Sequence, residues 1–69
     1  MEKRSVIKLL KTQLNSIDIN NQIWEQETIE SIERIFGTNS SQVISFRNAC
    51  YHNNIEEVKQ VINSLIKQV

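Results

Sequence analysis

Trp24 to Phe46 reads W-E-Q-E-T-I-E-S-I-E-R-I-F-G-T-N-S-S-Q-V-I-S-F. Trp24, Thr28, Ile32 and Ile35 recur at spacings of four, four and three, with Ile29 and Phe36 beside them. That period puts them on one face of a helix over residues 21–36. Glu25 and Glu27 open the helix and Arg34 closes it, an order that suits the helix dipole at both ends. Gly37 follows directly and is predicted to take the left-handed conformation that ends a helix. Asn39 is the expected cap of the next helix, with Gln42 three residues on to complete a capping box.

The pattern extends outward in both directions. Upstream, Val6, Leu10, Leu14 and Ile17 predict a first helix from about Glu2 to Ser16, its stripe widened by Ile7 and Leu9. Arg4, Lys8 and Lys11 follow the same period on a different face. Asp18, Asn20 and Asn21 then interrupt, because short polar side chains bond to nearby backbone and favour turns. Downstream, Val43, Phe46 and Cys50 form the expected inner face of the third helix, with Ile44 and Ala49 nearby, until Asn53 and Asn54 break it. A second capping box, Asn54 to Glu57, opens a fourth helix. Ile55, Val58, Ile62, Leu65 and Val69 line it at heptad spacing, flanked by Val61 and Ile66. An apolar residue at its end predicts a chain that continues or a helix that packs on a partner.

Proline is absent and Gly37 is the one glycine, so few breakers oppose helix. The pairs Val43-Ile44 and Val61-Ile62 are β-prone, but alternation is not sustained around either. The expected fold is all-α: a compact bundle of about four short helices in two antiparallel hairpins. Sixty-nine residues allow a single helical domain, 1–69, of a size that also fits an N-terminal module of a longer protein. A lone thiol, Cys50, fits a reducing, cytoplasmic setting. The charged start lacks the apolar region of a signal peptide, and no run approaches the ~20 apolar residues of a membrane span.

Formal net charge is zero but unevenly spread. Residues 1–17 carry Lys3, Arg4, Lys8 and Lys11 against Glu2, while residues 18–34 carry Asp18, Glu25, Glu27, Glu30 and Glu33 against Arg34. Opposite signs in neighbouring segments predict mutual attraction between the first two helices. Each exposed pair contributes only ~0.2–1 kcal/mol, so charge biases the pairing without driving it.

None of these residues forms a catalytic, cofactor-binding or metal-binding constellation. Cys50 and His52 are two soft ligands on a helix end, short of a zinc set; they read as a small buried thiol and a partly exposed imidazole. Glu25, Glu27, Glu30 and Glu33 read as a solvated face, because acid–base work needs a concave, partly dry site. Arg4, Lys8 and Lys11 could touch phosphate, and Gln42, Ser45, Arg47 and Asn48 could read bases in a helix-turn-helix around Gly37. A neutral domain with pI below seven is a poor nucleic-acid binder, however. Trp24 shares its face with Ile32 and Ile35 and reads as core rather than as a partner's anchor.

The pattern Trp24-x3-Thr28-x3-Ile32-x2-Ile35-Phe36-Gly37-x2-Ser40, with Val43 and Phe46, resembles a small helical module. That module stands at the N-termini of bacterial proteins carrying TIR-like nucleotide-binding or other anti-phage effector domains. The resemblance implies an accessory role and carries no catalytic residue onto this chain. Residues 49–62, from Ala49 to Ile62, are also similar to the helix–turn–helix of a single ankyrin repeat.

The expectation is a non-enzymatic protein–protein interaction or oligomerisation module without cofactor, metal or membrane. Its contact face would be the wide apolar side of the last helix: Ile55, Val58, Val61, Ile62, Leu65, Ile66 and Val69. Its partner would be another protein or a second copy. The competing class is a small nucleic-acid-binding regulator using the basic first helix.

Overall fold

A computed structural model describes residues 3–69, of residue 3 the backbone alone. Four helices follow in order: α1 (Lys3–Asn15), α2 (Gln22–Phe36), α3 (Ser41–Tyr51) and α4 (Ile55–Gln68). Each packs on two neighbours, α1 on α2, α2 on α3, α3 on α4 and α4 back on α1, while among the described residues the backbones of the diagonal pairs stay farther apart. The directions alternate. Gln13, late in α1, bonds to Trp24 and Thr28, early in α2. Gln42 at the start of α3 bonds to Gln68 at the end of α4. This is the all-α bundle of two antiparallel hairpins. Its radius of gyration, 10.7 Å, matches the roughly 11 Å of a compact chain this long.

The core is the set of periodic positions turned toward the ring's centre. Val6 and Leu10 of α1, Trp24, Ile29 and Ile32 of α2, Val43, Phe46 and Ala49 of α3, and Val58, Ile62 and Leu65 of α4 are all buried. Trp24 ties three helices together. Its ring lies 5.9 Å from that of Phe46, and its indole N–H donates to the Gln13 carbonyl at 3.1 Å. That carbonyl belongs to the last turn of α1, where helical partners run out. The Gln13 amide in turn donates to Thr28 Oγ1 at 2.7 Å, and Thr28 Oγ1 donates to the Trp24 carbonyl at 2.8 Å. Thr28 is thereby satisfied although fully buried.

The helix ends depart from the sequence-based reading in four places. The start expected at Glu2 lies outside the described residues, and α1 ends at Asn15, with the Ser16 N–H still bonded to Thr12. Asn21, expected as a helical residue, is the N-cap of α2, its side chain accepting from Ile23 and Trp24 N–H. Ser40, not Asn39, caps α3, accepting from the Val43 N–H, and Gln42 reaches across to Gln68 instead of back to the cap. Asn54 caps α4 as expected, but the Glu57 carboxylate turns to His52 rather than closing the box.

Gly37 ends α2, but not in the left-handed helical conformation. Its N–H donates to the Glu33 carbonyl, while φ is 104° and ψ 155°. That extended, positive-φ region is essentially reserved for glycine. Among the described residues the one non-glycine with positive φ is Asn53, φ 54°, in the α3–α4 turn. A Cβ at Gly37 would meet nothing within 4 Å, so any penalty there is backbone strain alone. Gly37→Val is expected to cost about 1–3 kcal/mol, lowering the melting temperature by roughly 4–8 °C per kcal/mol. An unchanged thermal transition by circular dichroism would show that the backbone relaxes at this turn.

Candidate interaction surfaces

The α4 residues expected to form an open contact face point mostly inward. Val58 and Ile62 are 0% exposed and Leu65 2%. Val61, Ile66 and Val69 are half-buried against the core, which leaves Ile55, 40% exposed, as the accessible member of the seven. The ring arrangement explains the width of the apolar face. α4 is flanked by both α3 and α1; Val61 lines the α3 flank, and Ile66, about 140° around the helix from it, packs against the core. On the α3 flank runs a polar groove of about 440 Å³, lined by Ser41, Ser45, Gln60 and Ser64 among others. Gln42 and Gln68 bond across it at 3.0 Å.

A different surface carries exposed apolar side chains at regular spacing. Ile44 is 54% exposed and Tyr51 88%. With Arg47 they stand at i, i+3 and i+7 of α3, one face of a helix. That face is turned away from Val43, Phe46 and Ala49, which fill the core. Arg47 and Tyr51 also line a groove of about 440 Å³ between α3 and α2, together with Glu25, Gln26, Ile29 and Cys50. The sequence reading placed Ile44 near the inner face and did not single out Tyr51. The signal was present: a residue next to the core position Val43 lies about 100° around the helix from it.

Cys50 sits half-buried on the wall of this groove. Burial, and secondarily the nearby Glu25 carboxylate, push its thiol from 9.0 up to about 11. The thiolate is the reactive form, so Cys50 is a poor nucleophile at neutral pH. Its pKa is raised in the folded state. The resulting stability is therefore fully present below about pH 9 and is lost as pH rises through about 11. Iodoacetamide is expected to alkylate it at pH 8 at least roughly tenfold more slowly than the unfolded chain, the smaller thiolate fraction being offset in part by the greater nucleophilicity of a more basic thiolate. Equal rates, read by mass spectrometry, would mean that the thiol is not shielded.

The remaining candidates are dispersed. His52 caps α3 at its C-terminus, and its Nδ1 lies 3.0 Å from Glu57 Oε2. No group of three or more metal-ligating side chains occurs among the described residues. Gln42 and Ser45 line the α3–α4 groove whereas Arg47 lines the α2–α3 groove, so the possible base readers occupy opposite flanks of α3. Glu27 and Glu30 are exposed, and Glu25 and Glu33 half-buried.

The expected attraction between α1 and α2 is not realised: no ion pair joins them among the described residues. The reason is rotational. Gln13 marks the flank of α1 that meets α2. Lys11, two residues away, lies about 200° around the helix from it. Arg4, Lys8 and Lys11 instead share an outer face of α1 with Ile7, Thr12 and Asn15. Glu27 and Glu30 lie on an outer face of α2 with Gln22, Ile23 and Gln26. No helix of the described residues is long and apolar enough to cross a membrane. Compared with family models, with curated proteins and with solved structures, the chain matches none of them.

Proposed function

We propose that this chain is a helical protein–protein interaction module whose contact face is the outer side of α3. The observation that carries the reading is the exposed stripe Ile44, Arg47 and Tyr51 beside the α2–α3 groove. Tyrosine and arginine are the residue types that dominate interface energies. The i, i+3, i+7 spacing is how one helix face engages another. A large aromatic left 88% exposed contributes nothing to the bundle's own core. In line with the resemblance of Trp24 to Phe46, we place such a module beside an effector domain in bacterial defence. There it would be an accessory part acting in the cytoplasm. That step rests on the resemblance alone.

The test is site-specific photo-crosslinking in living cells from position 51, with position 63 on the outer side of α4 as control. A discrete crosslinked protein at position 51, absent at position 63 and lost with Arg47→Ala, supports the reading. Equal, diffuse crosslinking from both positions overturns it. The three stripe residues are exposed, so truncating them should move stability by no more than about 0.5 kcal/mol.

The competing reading, a nucleic-acid-binding regulator, is favoured by one observation: Arg4, Lys8 and Lys11 share a single face of α1 with Thr12 and Asn15. Its signature is oligonucleotide binding that falls steeply with salt.

A further inference from the structure

The first two helices carry opposite charges that the fold keeps apart. Arg4, Lys8 and Lys11 line a shallow surface of about 450 Å³ on α1, with half-buried Ile7 at its edge. On α2, Ile23 stands 72% exposed in line with Glu27 and Glu30. These side chains lack partners of opposite charge on the neighbouring helix, because the two faces point in different directions. The spacings nevertheless correspond. Arg4, Lys8 and Lys11 step by four and three residues, as do Ile23, Glu27 and Glu30.

We infer that the basic face of α1 docks on the acidic face of α2 of a second copy of this chain. With the two helices side by side in the same direction, Lys8 and Lys11 stand opposite Glu27 and Glu30, Arg4 opposite Ile23, and Ile7 opposite Gln26, one turn along from Ile23. A chain of zero net charge with separated basic and acidic faces is complementary to itself, and no repulsion between whole molecules opposes the contact. Because the two faces are different, the contact is heterologous. It leaves one unused face at each end, so copies add head to tail or close into a ring. This surface shares no residue with the α3 stripe, so either can fail without the other.

Exposed ion pairs are individually weak and screened by salt, which sets the test. Sedimentation equilibrium is run up to roughly 1 mM protein, at about 50 mM and about 500 mM salt. Association is expected at low salt and its loss at high salt. Lys8→Glu/Lys11→Glu and Glu27→Lys/Glu30→Lys should each be monomeric alone, and a mixture of the two should associate again. Both pairs are exposed, so circular dichroism should show an unchanged fold. Should either reversal unfold the chain, Lys8→Gln/Lys11→Gln and Glu27→Gln/Glu30→Gln replace them, and each must weaken association. Wild-type protein that stays monomeric at low salt overturns the inference, as does association that neither pair of substitutions weakens. A monomer that binds a generic duplex oligonucleotide through Lys8 and Lys11 overturns it in favour of the nucleic-acid reading.

Discussion

Trp24→Ala is expected to unfold this domain or bring it to the edge of unfolding. The ring is 5% exposed and packs on Phe46. Removing it costs about 3–5 kcal/mol, from lost burial and the cavity left behind. It also strips the Gln13 carbonyl of the indole N–H that satisfies it, a further loss where that group stays buried. A chain of 69 residues has a total stability of roughly 3–10 kcal/mol, so the substitution removes a large share. The measurement is urea denaturation followed by circular dichroism. A cooperative transition at nearly the wild-type midpoint would mean that Trp24 is dispensable to the core.

Ile62→Glu should be at least as damaging, while Ile55→Glu should be tolerated. The two residues belong to one heptad pattern, but Ile62 is 0% exposed and Ile55 40%. A carboxyl group at position 62 loses the buried apolar contact and must be held, charged or protonated, without a partner. The expected cost is roughly 4 kcal/mol or more. At position 55 the new carboxylate reaches water and joins Glu56 and Glu57 in the first turn of α4, where negative charge is favourable. Expression and thermal unfolding of the two variants side by side test this. A folded Ile62→Glu protein would show that α4 is not sealed against α1 and α3.

The outcome at α4 illustrates how apolar periodicity can be read correctly and interpreted incompletely. Ile55, Val58, Ile62, Leu65 and Val69 specify a helix and its buried side. How much of a broad apolar face is left over depends on how many neighbours cover it. Here α3 and α1 cover both flanks, and the surplus expected on the outside is largely inside. The same logic works in reverse on α3. Ile44 looked like a companion of Val43, yet the ring closes on Val43, Phe46 and Ala49 and leaves Ile44 outside with Tyr51.

Local chemistry was legible wherever a residue acts on its own neighbours. The number and order of helices, the cap by Asn54 and the stop at Gly37 follow from interactions within a few residues, whereas Asn21, expected as the first helical residue, is the cap of α2. Ser40 rather than Asn39 caps α3, one residue later than expected, and the turn before it leaves Gly37 in an extended rather than helical conformation. That conformation is not encoded by glycine itself, which is equally at home in several positive-φ regions.

By itself, then, the sequence determined four helices and most of their buried positions, which depend on a period of 3.6 residues along one chain, and the separation of basic from acidic segments, which is linear order alone. Only the tertiary structure decided how each helix is rotated about its own axis against two neighbours. That rotation put Gln13 against Thr28 and Trp24, turned Lys8 and Lys11 away from the carboxylates of α2, and brought Arg47 and Tyr51 to a groove beside Glu25. A turn of about 100° moves a residue from core to rim, and packing around the whole ring, rather than any local preference, selects it.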